Sequence, residues 1–139
     1  MTDSSHLDQI RAGYTFEAPA VDLGATVLDG APQPDAPVRV PLASLTKHGL
    51  VAGATGTGKT KSLQLMAEQL SAAGVPVFLA DIKGDLSGIA TPGEGGDKLA
   101  ARTTSIGQDW QATAFPTEFL TLGGQGTGVP IRTTITSFG

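Results

Sequence analysis

Eight consecutive residues carry the clearest chemical signal in the chain: Gly53-Ala54-Thr55-Gly56-Thr57-Gly58-Lys59-Thr60. The spacing G-x-x-x-x-G-K-[ST] is that of a phosphate-binding loop, the Walker A motif of P-loop proteins. Glycines at 53, 56 and 58 let the backbone wrap with its N–H groups turned inward, which makes an anion nest. A helix that starts at the end of the loop adds unpaired N–H groups and the positive end of its dipole. Lys59 supplies a mobile point charge for the β- and γ-phosphates, and the Thr60 hydroxyl is a hard oxygen suited to Mg²⁺. The expected binding residues are Gly53, Ala54, Thr55, Gly56, Thr57, Gly58, Lys59, Thr60 and Lys61, with Lys59 in the catalytic role and Thr60 on the metal. The loop reads phosphates and not bases, so it does not by itself decide between ATP and GTP.

Asp81 ends an apolar run, and ligands of parallel sheets collect at the carboxyl ends of strands. It has two functional readings: a Walker B aspartate holding Mg²⁺ through water, or an acid on a neighbouring strand with the true Walker B further along. A structural reading, a loop carboxylate capping Gly84, stands beside them. Only 20 residues separate Thr60 from Asp81, too few for the Mg²⁺-binding switch segment of a GTPase, and Asn-Lys-x-Asp occurs nowhere. The neighbouring-strand reading is therefore preferred. Lys83 and Asp85 read as solvated loop charges, His48 as a structural histidine ahead of a buried strand, and Trp110 as a packing anchor beside Phe115. Gly123-Gly124-Gln125-Gly126-Thr127-Gly128 reads as a hairpin turn, because it lacks Gly-Lys-Thr and leads into a strand.

Positioning the loop requires a strand before it and a helix after it. His48–Ala52 is a short apolar run stopped by Gly53. Lys59–Ala73 reads as a helix, with Leu63, Met66, Ala67 and Leu70 on one face and Gly74 and Pro76 as the stop. Val75–Ala80 is apolar at every position, the pattern of a strand buried on both faces. Strand, helix and strand make one βαβ unit with a right-handed crossover. Residues 1–20 read as irregular. Val21–Leu28 and Val38–Leu42 are short strand candidates around an Asp29-Gly30 turn, with Pro32, Pro34 and Pro37 preventing regular pairing between them. Asp97–Ser105 reads as a short helix capped by Asp97 and ended by Gly107, and Phe115–Leu122 with Val129–Thr136 as a C-terminal β-hairpin. The fold class is α/β: a partial, RecA-like P-loop domain with parallel strands flanked by helices, divided into an irregular segment 1–37 and an ATPase segment 38–139.

Composition narrows the function. The net charge is −4, so the chain lacks the positive field that a stand-alone nucleic-acid binder needs. Without cysteine there is no disulfide framework and no thiolate metal site. The first residues carry no signal-peptide pattern, and no apolar run is long enough to cross a bilayer. The expectation is a soluble, cytoplasmic protein.

Beyond these readings, Thr46 to Thr60 resembles the P-loop entry of the HerA–FtsK superfamily of ATPases. Ala72-Ala73-Gly74-Val75-Pro76-Val77-Phe78-Leu79-Ala80-Asp81-Ile82-Lys83-Gly84-Asp85-Leu86-Ser87-Gly88 is similar to bacterial HerA-like helicase proteins. Ala114-Phe115-Pro116 and Val129-Pro130-Ile131-Arg132 extend the likeness. The resemblance implies a RecA-like core, ATP hydrolysis with Mg²⁺, a homo-hexameric ring, and translocation along or unwinding of double-stranded DNA. It also implies a distant Walker B strand ending in Asp-Glu, and this sequence holds no Asp-Glu or Glu-Glu pair. The catalytic glutamate, arginine finger and DNA-contacting pore loops then fall outside these residues, and the chain reads as the N-terminal part of a longer ATPase. Rival readings are a P-loop motor for conjugation or protein export and a non-catalytic nucleotide-binding module. A small-molecule phosphotransferase would need a lid of arginines, and the chain has four, at 11, 39, 102 and 132.

Overall fold

The computed structural model of the chain describes residues 3–123 and 126–131. It is a mixed α/β structure, with helices α1 (Asp3–Gly13), α2 (Lys59–Ala72) and α3 (Asp97–Ser105), strands β1 (Ala20–Leu28) and β2 (Ala31–Pro41), and the short strands β3 (Leu120–Leu122) and β4 (Val129–Ile131).

β1 and β2 form an antiparallel ribbon closed at Asp29-Gly30. Both turn residues have positive φ, 50° and 78°, as a two-residue hairpin turn whose twist matches its strands requires. The prolines do not keep β2 out of the ladder, contrary to the sequence expectation: Pro32 opposes Val27 and Pro37 opposes Ala25. A two-stranded ribbon has only edge strands, so a missing N–H can face away from the partner. Register shifts at Asp22/Gly24 and Ala25/Thr26 absorb the misfit. Val21 and Ala36 are fully buried, and the directly opposed Asp22 and Arg39 close a cross-strand ion pair of 2.6 Å.

α1 occupies a segment expected to be irregular. Its local pattern is weakly apolar, and its anchorage is tertiary. Arg11 near its C-terminus bonds Asp8 Oδ1 at 2.7 Å, pairs with the Asp35 carboxylate, and donates from Nε to the Asp35 carbonyl at 3.1 Å. A helix this short needs such contacts, because nucleation costs more than propensity returns.

α2 and α3 form where the sequence places them, and both end in the same way. After α2, Gly74 adopts φ 78°, its N–H bonds the Ser71 carbonyl (2.9 Å) and the Val75 N–H bonds the Leu70 carbonyl (2.9 Å). After α3, Gly107 (φ 69°) and Gln108 repeat the pair on Thr104 and Thr103. These double bonds satisfy the last helical carbonyls. α3 starts after Gly96 without a side-chain cap, so Asp97 serves by its charge in the first turn rather than as the cap expected of it. α2 is fastened to β1 by Gln69, whose amide accepts the Asp22 N–H and donates to the Asp22 carbonyl, both at 2.8 Å.

The parallel βαβ unit is not formed. Residues 48–52 and 75–80 join no ladder among the described residues, and their apolar side chains face solvent: Leu50 is 89 % exposed, Phe78 77 %, and Ile82 just beyond them 100 %. An apolar run identifies strand-forming material, but a strand exists only where a neighbour takes its backbone groups. β3 and β4 also depart from expectation. They pair parallel, Leu120 with Val129 and Leu122 with Ile131, and are not a hairpin. Gly128 makes this possible, since its backbone lies so close to the Phe119 carbonyl that no Cβ fits. The Arg132–Thr136 part of the expected second strand lies outside the described residues. The chain exposes 10628 Å² of surface, against about 6,700 Å² for a compact monomer of its mass.

Candidate functional site

The glycines at 56 and 58 take φ 81° and 93°, left-handed conformations that a Cβ would strain. Gly53 is required for a different reason. A Cβ there would lie 2.6 Å from Thr57 Oγ1, which is fixed by its 2.8 Å bond to the Ala54 carbonyl. The loop therefore closes on itself around Ala54: the Thr57 N–H, the Thr57 hydroxyl and Lys59 Nζ (2.6 Å) all donate to that one carbonyl. Gly58 ends the loop as the N-terminal flank of α2 and makes no side-chain cap, leaving first-turn N–H groups of the helix for a ligand.

Gly56, Gly58, Lys59, Thr60 and Lys61 line a depression of about 250 Å³ at this end of α2. Ala54, Thr55 and Thr57 lie beside it on the exposed loop. A second, larger cleft of about 990 Å³ separates the β1–β2 ribbon from α2 and the segment after α3, with Glu68, Gln69 and Trp110 among its lining residues. The loop glycines and Lys59 do not border it. Burial in this cleft pushes the Glu68 carboxyl above the usual carboxylate range, a shift that Lys61 partly offsets.

Asp81 is committed to its own loop. Its Oδ1 accepts the N–H groups of Lys83 (3.1 Å), Gly84 (2.8 Å) and Asp85 (3.2 Å), and its Oδ2 accepts that of Leu86 (2.9 Å). The Leu86 N–H, followed by those of Gly84, Lys83 and Asp85, holds the Asp81 carboxyl below its ordinary value against a smaller opposing effect of desolvation. Of the three readings open in the sequence, the capping carboxylate describes this geometry, and the preferred neighbouring-strand reading does not.

Other residues settle plainly. His48 is exposed and precedes no strand, so it is not the structural histidine ahead of a buried strand that the sequence suggests. Trp110 lies against the glycine-rich segment, its ring 3.1 Å from where a Cβ on Gly93 would stand and 3.5 Å from one on Gly95. Ile82 and Asp85 are exposed.

Sequence reasoning missed Gln64. The apolar-face pattern of α2 does not include it, yet it is one of the two buried residues of that helix, with Ala67, while Leu63 is 41 % exposed. Its Oε1 accepts from Lys61 Nζ (2.8 Å) and its Nε2 donates to the Asp85 carbonyl (2.9 Å). A glutamine one helical turn beyond the Lys-Thr pair was the available signal.

Among the described residues there is no cluster of His, Cys, Asp and Glu that could hold a metal, and no helix is long and apolar enough to cross a membrane. A family model described as "Helicase HerA-like C-terminal" matches residues 26–139. No curated protein and no solved structure matches the chain.

Proposed function

This chain belongs to the helicase HerA-like C-terminal family, and on that premise we propose that it binds Mg·ATP at the N-terminus of α2 and forms the nucleotide-binding portion of an ATP-dependent, HerA-like DNA translocase or helicase. The observation that carries the reading is the loop itself. Two left-handed glycines lead into a helix whose first turn has no side-chain cap, and the lysine beside them is held by a backbone carbonyl rather than by a carboxylate. Among the described residues Lys59 has no anionic partner, and a cation of that kind beside uncapped N–H groups suits an anion.

The residues present suit the ligand. Gly53 to Gly58 shape the cradle, Lys59 and Lys61 supply positive charge, and the Thr60 hydroxyl offers a hard oxygen of the kind Mg²⁺ prefers. Held by the Thr60 hydroxyl, Mg²⁺ would supply positive charge beside the phosphates. Lys59 would exchange the Ala54 carbonyl for a phosphate oxygen and so would stabilise charge that grows in the transition state. Adenine preference, double-stranded DNA as the track and a homo-hexameric ring come from family membership. The net charge of −4 agrees with placing DNA contacts on other segments.

The test is ATP turnover by the full-length protein with Mg²⁺, with and without duplex DNA. Turnover stimulated by duplex is expected, and Thr60→Ala should raise the Mg²⁺ concentration needed for half-maximal rate. Turnover that is absent, or a Thr60→Ala enzyme with an unchanged metal requirement, overturns the assignment.

A further inference from the structure

Gln64 is 7 % exposed, and a buried primary amide is costly unless both its ends are bonded. Here its orientation is fixed by its partners. Lysine can only donate, so the oxygen faces Lys61, while a carbonyl can only accept, so the nitrogen faces Asp85. Asp85 is gripped twice, through its carbonyl by Gln64 and through its N–H by Asp81 Oδ1. Lys61 lines the same depression as Gly56, Gly58, Lys59 and Thr60. An unbroken series of hydrogen bonds thus runs from that depression through Lys61 and Gln64 to Asp85, and on to the carboxylate that shapes residues 81–86.

We propose that Gln64 is a positioning residue that couples phosphate occupancy at the start of α2 to the conformation of the 81–86 loop. The inference rests on the phosphate-binding reading above. Lys61 is the link with two possible partners. It is exposed, sits on a flexible four-carbon stem, and can give its ammonium to Gln64 or to a phosphate. When a phosphate takes it, Gln64 Oε1 loses a charge-assisted donor inside a buried site, and the amide must turn or shift to regain one. Turning it withdraws Nε2 from Asp85 and releases the loop. Without ligand the loop is clamped, and with ligand it is released. By linkage, phosphate binding and loop release in the wild-type protein favour each other by the same factor.

Two substitutions separate this coupling from a merely structural role. Gln64→Met keeps the length of the side chain and removes both bonds, so it releases the loop and frees Lys61. Gln64→Glu holds Lys61 more strongly and sets a carboxylate against the Asp85 carbonyl, so it releases the loop but retains the lysine. The experiment is amide hydrogen exchange of the full-length protein with and without Mg²⁺ and a non-hydrolysable ATP analogue, together with the analogue's Kd. In the wild type, residues 53–61 should gain protection while residues 83–86 exchange about 5- to 10-fold faster, the equivalent of one lost hydrogen bond. In Gln64→Met, residues 83–86 should exchange fast without ligand and show no further response, and the analogue should bind about 3- to 10-fold tighter. Gln64→Glu should show the same fast loop with weaker binding. Protection at 53–61 with no change at 83–86 in the wild type overturns the coupling and leaves the phosphate site standing. Equal losses of affinity in both variants also overturn it, since that is what a structural defect produces. Absence of protection at 53–61 overturns the phosphate reading and the coupling with it.

Discussion

Lys59→Ala should weaken Mg·ATP binding by less than the charge of the lysine suggests, because the lysine is already bonded in the free protein. Lys59 Nζ lies 2.6 Å from the Ala54 carbonyl. A hydrogen bond that involves a charged group contributes about 1.5–3 kcal/mol, and one between an ammonium and a phosphate sits at the upper end. Binding phosphate means giving up the carbonyl, which returns part of that energy. The net difference is about 1–2 kcal/mol, or roughly 5- to 30-fold in Kd. Turnover should fall further, by about 10²- to 10³-fold, since a donor aimed at developing charge acts most strongly in the transition state. Titration calorimetry of the full-length protein gives the first number and steady-state ATPase assays give the second. Thermal denaturation should show the fold intact, within about 1 kcal/mol, because the lost bond lies at a half-exposed site on the first residue of a helix. An unchanged Kd would refute the assignment of Lys59 to phosphate. A loss above about 10³-fold in Kd, some 4 kcal/mol, would refute the argument that the Ala54 carbonyl competes for the ammonium.

Two further substitutions test the scaffold and its charge. Gly107→Ala should destabilise the chain by about 1–3 kcal/mol in denaturant titration, since a left-handed φ of 69° strains any L side chain and the new Cβ would stand 3.0 Å from the Pro34 carbonyl oxygen. Glu68→Gln should raise Tm at pH 7 and leave it unchanged near pH 3.5. A carboxyl raised in the folded state binds its proton more tightly there than when unfolded, so its ionisation destabilises the fold only above the unfolded pKa of about 4.3.

Local signals in the sequence were legible to the residue. Asp29-Gly30 gave a two-residue turn, Gly74 and Gly107 gave helix stops, and the phosphate-loop glycines fall where positive φ or a close contact demands them. Each of these depends on one or two residues and their own backbone. What escaped depends on distant partners. Nothing near Arg11 announces Asp35, which anchors α1. The apolar runs 48–52 and 75–80 predicted strands because of their composition, whereas strand formation depends on a neighbour. The sense of the β3–β4 pair depends on how closely Gly128 can approach Phe119, which no pattern of alternation records. The preferred reading of Asp81 failed, and Gln64 drew no reading at all, for the same reason. Their roles lie in the number and direction of hydrogen bonds that they accept, and a carboxylate taking four backbone N–H groups looks in sequence like any acid after a strand.

The exposed run Val75-Pro76-Val77-Phe78-Leu79-Ala80 has a consequence for how the chain behaves at high concentration. Six apolar residues without a charge, rich in β-formers and presented to solvent, are the raw material of cross-β stacking between chains. Pro76 interrupts that window. It has no N–H to donate to an incoming strand, so a second chain aligned along this edge meets a missing rung near its start. The proline that follows the α2 stop therefore has a second role as a gatekeeper. It keeps a sticky hexapeptide from nucleating aggregates while its apolar side chains remain uncovered.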